Sequence, residues 1–157
     1  MGLIKVGDLA PDFEAKDQNG KEISISKFKG KKIILYFYPK DNTPGCTAEA
    51  CNLRDNYTEL LAKGFVVIGI SADSAASHIK FQSKFELPFF LIPDEDKKII
   101  QAYNAWGEKK LYGRIYEGII RKTYIIDEKS KILKIIEKVK TNDHANQILV
   151  ELGISKQ

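Results

Sequence analysis

The chain is poor in cysteine and histidine and has no long apolar run. Its 157 residues include two cysteines, two histidines, one methionine and one tryptophan. Two cysteines are too few for a disulfide-stapled secreted scaffold, and a chain this long needs no staple, since it removes roughly two thirds of its unfolded surface from water. Structural zinc needs four ligands; His78 and His144 stand at remote, irregular distances from Cys46 and Cys51, which argues against a Cys2His2 site. Neither histidine has a local partner signature, and both read as ordinary surface or capping residues. The longest apolar runs, IILYFY (33–38) and FVVIGI (65–70), are too short to span a bilayer and suit buried strands.

The N-terminal stretch MGLIKVGDLAPDF has no basic region followed by an apolar core, so nothing in it suggests export. Val6 stands where N-myristoylation needs Ser or Thr. These features predict a cytoplasmic protein with no membrane partner. The net charge of +4 comes from lysines spread along the chain, which reads as a solvated surface. The one short basic stretch, KFKGKK (27–32), lies between strand-like segments and gives nucleic-acid binding no support.

With 43% hydrophobic and 29% charged residues, the composition is that of a folded globule, expected as one domain over 1–157. Phe13, Ala15 and the alternating EISIS (22–26), joined across Asn19-Gly20, predict a β-hairpin with a tight turn. KIILYFYP follows as a strand closed by Pro39. Apolar spacing from Thr47 to Lys63 predicts one helix stopped by Gly64, with Leu61 on its buried face. FVVIGIS (65–71) is then a buried strand, and Asp73 or Ser74 opens a helix that buries Ile79, Phe81 and Phe85 and ends before Pro88. After PFFLIPD (88–94) and a short helix near 96–103, YNAWGEKKLYGRIYEG reads as irregular. RKTYIID (121–127) and KILKIIEK (131–138) read as strands. A last helix over 142–152 has Thr141, Asn142 and Asp143 as capping candidates. This order predicts an α/β fold, a central mixed sheet with helices on both faces in a thioredoxin-like arrangement.

Both cysteines fall in YPKDNTPGCTAEAC (38–51). Cys46 belongs to the first turn of a helix, where unpaired N–H groups and the helix dipole favour a thiolate. Making a thiol mostly thiolate at neutral pH takes about 3.4 kcal/mol. A helix end supplies about 0.3 to 1 kcal/mol, rising to about 2 in favourable geometry, so a cation must add the rest. Arg121, at the start of a strand beside the one carrying Pro39, is the better candidate; Arg54, about two turns along the helix, is the rival. Either arginine alone could be a surface ion-pair partner. Five residues of helix separate the Cα atoms of Cys46 and Cys51 by roughly 8 to 9 Å. A disulfide needs less than about 7 Å, so bridging them would require the helix to unwind. Cys51 taken alone could equally be a small buried apolar side chain.

The sequence resembles the peroxiredoxins, in particular the bacterioferritin comigratory protein or Q-type subfamily. PxxxTxxC is met by Pro39, Thr43 and Cys46, and YPKDNTPGCTAEACNLRD, WGEKKLYG (106–113), GIIRKTYIID (118–127) and KTNDHANQIL (140–149) match subfamily segments in order. Tyr124, where phenylalanine is common, is a mild departure. The resemblance implies a thiol-dependent peroxidase acting on hydrogen peroxide and organic hydroperoxides. Cys46 would be the peroxidatic cysteine, with Thr43 and Arg121 holding the peroxide oxygens and Pro39 shielding the thiolate. Thr43 could instead simply cap the helix, and Pro39 simply end the strand. Cys51 matches the resolving cysteine, forming an intramolecular disulfide that thioredoxin or a similar dithiol protein reduces. No metal, haem or flavin is implied, and a monomer or at most a weak dimer is expected. The same residues would serve a redox sensor or chaperone-like interaction protein, which need be oxidised only once. A protein disulfide oxidoreductase is disfavoured by the CxxxxC spacing.

Overall fold

The computed structural model describes residues 2–154. Its elements begin with β1 (Ala15–Lys16), β2 (Glu22–Ile23), β3 (Lys32–Phe37), α1 (Pro44–Asp55), α2 (Tyr57–Ala62), β4 (Phe65–Ser71) and α3 (Ala75–Phe85). They continue with β5 (Phe90–Pro93), α4 (Lys98–Ala102), β6 (Trp106–Leu111), β7 (Arg114–Ile119), β8 (Lys122–Ile126), β9 (Ile132–Ile136) and α5 (His144–Glu151).

Five strands form a mixed sheet in the order β5-β4-β3-β8-β9. β3, β4 and β5 are parallel, as helical crossovers require, and β8 and β9 add antiparallel. β4 is buried at every position, which is why its sequence is a continuous apolar run rather than an alternating one. Side-chain alternation along β3 divides the interior. Ile34, Tyr36 and Tyr38 pack with Leu53, Leu60, Phe81 and Ile148, whereas Ile33, Leu35 and Phe37 pack with Ile23, Ile100 and Tyr103. Helices α1, α2, α3 and α5 therefore cover one face, and α4 with the N-terminal segment covers the other. Tyr124 lies in the second cluster and its hydroxyl donates to the Tyr103 carbonyl, giving a buried phenol the partner it needs.

Several local expectations are corrected. The run expected as one helix from Thr47 begins at Pro44 and is divided at Asn56. Proline suits the first helical position because the N–H it lacks would have no partner there. At Asn56 the side-chain amide donates to the Asn52 carbonyl at 2.8 Å, taking an acceptor that a continuing helix would use through its backbone. Leu61 and Ile79 are exposed, and His78 joins Phe81 on the buried face of α3. Ser74 is the residue that opens α3, its Oγ accepting the Ser77 N–H at 3.1 Å.

The N-terminal hairpin pairs only Ala15 with Ile23 and Lys16 with Glu22. Its turn is wider than a two-residue one: Asp17 Oδ1 accepts the N–H groups of Asn19 and Lys21 at 2.8 and 2.9 Å, and Gly20, not Asn19, takes the positive φ. The stretch expected to be irregular is a second hairpin, β6 with β7, in register from Trp106↔Ile119 to Leu111↔Arg114. Its two-residue turn, Tyr112-Gly113, has φ of 51° and 78°, the left-handed pair that matches strand twist.

Candidate active site

β3 ends at Phe37, whose partner across the antiparallel pair is Lys122, so Arg121 leaves the sheet beside Tyr38 and the half-buried Pro39. The loop from Pro39 to Thr43 is fastened from below. Asp41 accepts from the Tyr38 hydroxyl at 2.6 Å and the Ser77 hydroxyl at 2.8 Å, and lies 2.7 Å from His78 Nδ1. Its own N–H donates to Asp73 at 2.8 Å. Asp41, Asp73 and His78 are the one group of potential metal ligands clustered among the described residues. Both carboxylate oxygens of Asp41 and Oδ2 of Asp73 are already engaged by protein donors, so the cluster acts as a hydrogen-bond network that fixes the loop.

Thr43 has the extended backbone of an N-cap, and its carbonyl accepts the Thr47 N–H at 2.8 Å. Its hydroxyl does not cap the helix; it donates to the Lys40 carbonyl at 2.8 Å. The N–H groups of Gly45 and Cys46 thus have no acceptor within the helix. Cys46 is 1% exposed, and its Sγ accepts from Arg121 Nη2 at 3.3 Å. Gly45 makes this approach possible, since a Cβ there would stand 3.2 Å from the same nitrogen. Arg54 is turned elsewhere, to the Asp55 carboxylate at 2.9 Å and the Phe85 carbonyl at 2.8 Å.

Cys51 is half-buried in the same helix as Cys46, and both are free thiols. Sulfurs five residues apart on an unbroken α-helix cannot bond, because their Cα atoms lie roughly 8 to 9 Å apart.

Sequence reasoning missed three residues. Glu49 is fully buried and its Oε1 accepts from Arg121 Nη1 at 2.7 Å. Burial pushes its carboxyl up to about 7, against the opposing pull of Arg121. Its position three residues after Cys46, on the thiol's own helix face, was the available signal. His78 and His144, expected at the surface or at caps, are both completely buried. His144 Nε2 lies 2.8 Å from Thr123 Oγ1 and 3.5 Å from Glu49 Oε2. Burial holds its imidazole down to about 4. No sequence pattern shows these contacts, because their partners are far along the chain.

A buried sulfur at a helix start, beside a permanent cation, is an arrangement that can serve nucleophilic attack. The guanidinium and the free N–H groups beside it can receive an electronegative substrate atom that gains charge.

A family model described as the AhpC/TSA family matches residues 6–135. Peroxiredoxin Bcp of Bacillus subtilis (strain 168) is 44% identical over 149 residues, which is 95% of this chain and 95% of that protein. The PrxQ protein of Xylella fastidiosa, solved as a cysteine-to-serine mutant, superimposes with a TM-score of 0.89 at 29% identity over 98% of both chains. A Xanthomonas campestris bacterioferritin comigratory protein, solved for insights into its alkyl peroxide reduction activity, gives a TM-score of 0.83 at 30% identity over 90% of both chains.

Proposed function

The chain belongs to the AhpC/TSA family, and from that premise we propose that it is a thiol-dependent peroxidase of the Bcp or peroxiredoxin Q kind that reduces hydrogen peroxide and organic hydroperoxides. The observation that carries the reading is the 3.3 Å contact between Arg121 Nη2 and Cys46 Sγ at the start of α1.

In this reading the Cys46 thiolate attacks the terminal oxygen of the hydroperoxide. The O–O bond breaks with its electron pair going to the leaving oxygen, which takes a proton and departs as water or alcohol. Cys46 becomes a sulfenic acid. Arg121 and the Cys46 N–H stabilise the charge moving along the O–O bond; Thr43, whose hydroxyl hydrogen goes to the Lys40 carbonyl, holds the peroxide by accepting its O–H, and Pro39 keeps water from the sulfur. Cys51 then attacks the sulfenic sulfur as α1 unwinds, releasing water and leaving a 46–51 disulfide. Thioredoxin or a similar dithiol protein restores both thiols by exchange. A close pair of cysteines in a chain with only two is more often catalytic than structural in a reducing compartment, and we expect the chain to act in the cytoplasm as a monomer.

The test is peroxide consumption coupled to thioredoxin and its reductase. The native chain should turn over repeatedly and Cys46→Ser should not; a Cys46→Ser variant retaining most of the turnover would overturn the assignment.

A further inference from the structure

Across Arg121 from the Cys46 thiol, Glu49 and His144 meet in the interior with their side chains 0% exposed. Glu49 Oε1 is satisfied by Arg121, but its Oε2 is buried with no hydrogen-bond partner. That oxygen faces His144 Nε2 at 3.5 Å.

The hydrogen on the other imidazole nitrogen can be placed from its neighbours. Gln147 Nε2 donates to the Lys138 carbonyl at 2.8 Å, and Gln147 Oε1 accepts the Lys140 N–H at 2.9 Å. The amide cannot be turned over without breaking both bonds, so Oε1 is an acceptor. It lies 2.9 Å from His144 Nδ1, which must therefore carry a hydrogen. In the neutral ring Nε2 is then a lone pair, which the Thr123 hydroxyl satisfies by donating to it across 2.8 Å. An ionised Glu49 would point the lone pairs of its unpartnered Oε2 at the same nitrogen.

A proton between the two atoms removes that conflict. It can reside on Oε2 or on Nε2, and the charge count is the same in either place. With the proton, Arg121, Glu49 and His144 together carry +1; without it they carry zero. We propose that Glu49 and His144 hold a single exchangeable proton between them, and that His144 is thereby a positioning residue that decides how much of the Arg121 charge reaches the Cys46 thiolate.

Burial raises Glu49 and lowers His144, which is the direction that puts the proton on Glu49. The other groups facing the pair do not supply it. Arg121 and Cys46 are the charges being tuned. Tyr36, from β3, is held well above its ordinary range by burial first and by Glu49 and Cys46 next, so it stays neutral. Lys109, from β6, faces Arg121 and Cys46 and is held low chiefly by its own burial; its ammonium donates to the Ile119 carbonyl at 2.8 Å.

This inference rests on Cys46 being the reactive thiol but not on peroxide turnover. Its test is the pH profile of Cys46 alkylation by iodoacetamide, measured in a Cys51→Ser background beside the peroxide reaction. With the pair intact, the profile should show two steps: the rise from thiol ionisation, and a fall in thiolate stabilisation as the shared proton leaves. One charge at this range changes the thiol's ionisation about tenfold. Glu49→Gln, permanently neutral, should abolish the second step. His144→Gln offers the carboxylate an amide donor and should move that step to lower pH. The His144 ring proton signal in NMR should inflect at the same pH as the second step, and this needs no variant. A ring signal flat across that step, or an alkylation profile unchanged in both folded variants, would overturn the proposal. Loss of peroxide turnover with the two-step alkylation retained would instead count against the peroxidase reading alone.

Discussion

Asn52 on α1 caps α5: its Oδ1 accepts the Ala145 N–H at 2.8 Å, while its Nδ2 donates to the Asn142 carbonyl at 3.3 Å. Thr141, Asn142 and Asp143 are the local candidates for that cap, yet Asp143, at the N-cap position, makes no side-chain capping bond. The residue that serves α5 is thus adjacent to Cys51 and rides on the helix that must unwind before the two cysteines can meet. Melting α1 would therefore take this cap from α5.

Asn52→Ala should therefore destabilise the reduced protein by about 1 kcal/mol, the usual worth of an N-cap. Urea unfolding measures the loss. Hydrogen exchange should accelerate at the first turn of α5 more than in the buried strand β4. Equal acceleration at both would mean that the cap supports the fold generally rather than the α1–α5 joint.

Arg121→Ala removes the cation from two partners, Cys46 Sγ and Glu49 Oε1. The first loss should slow the reaction with peroxide by about 100- to 1000-fold, as removal of one charge-stabilising donor does. It should also shift Cys46 alkylation to higher pH. The second loss leaves a buried carboxylate unpaired, which costs stability only while Glu49 is ionised. The fall in melting temperature should thus be larger at pH 8 than at pH 5.5. Loss of activity with an unchanged alkylation profile would exclude Arg121 as the activating cation.

Much of the fold is legible in the sequence because burial leaves a periodic record. β3 and β4 are apolar runs of strand length, and the helices after them keep the spacing of a single buried face. β6 and β7 leave no such record: positions 111–117 are all exposed, and Gly107, Gly118, Lys109 and Glu117 interrupt alternation. The hairpin is specified by its turn instead, in a Tyr-Gly pair weaker as a signal than Asn-Gly. The site divides in the same way. Cys46, Thr43 and Pro39 lie within eight residues and can be read together. Glu49 reads as an ordinary charged helix residue until Arg121, 72 positions away, is brought against it. His144 is intelligible only once α5 has docked on α1.

Glu49 and His144 should give stability opposite slopes with pH. Glu49 is raised from 4.5 to about 7 on folding, so its contribution is complete below its unfolded value and is lost as pH rises through about 7. His144 is lowered from 6.5 to about 4, so its contribution is complete above its unfolded value and is lost as pH falls through about 4. Relative to the native chain, Glu49→Gln should gain in melting temperature between pH 5 and pH 8. His144→Gln should gain between pH 6.5 and pH 4. Parallel melting curves for all three proteins across this range would show that neither group changes its protonation on folding.

The geometry of α1 makes its sharpest demand on Cys51. If the resolving reaction requires unwinding, oxidation with one equivalent of peroxide should yield a 46–51 bridge detectable by mass spectrometry. The bridged form should lose about two turns of helical circular dichroism, since the sulfurs cannot bond across an intact helix. It should also lose exchange protection in α5, whose cap on Asn52 goes with those turns. Cys51→Ser keeps the first oxidation but leaves a sulfenic acid with no internal partner, so excess peroxide should carry Cys46 on to the sulfinic acid. Asn52→Ala should act in the opposite sense: an easier opening brings Cys51 to the sulfenic sulfur sooner and protects Cys46 from overoxidation. Oxidised protein that carries the bridge with its α1 helicity unchanged would sink the unwinding step, and oxidised protein without any bridge would remove Cys51 from the cycle.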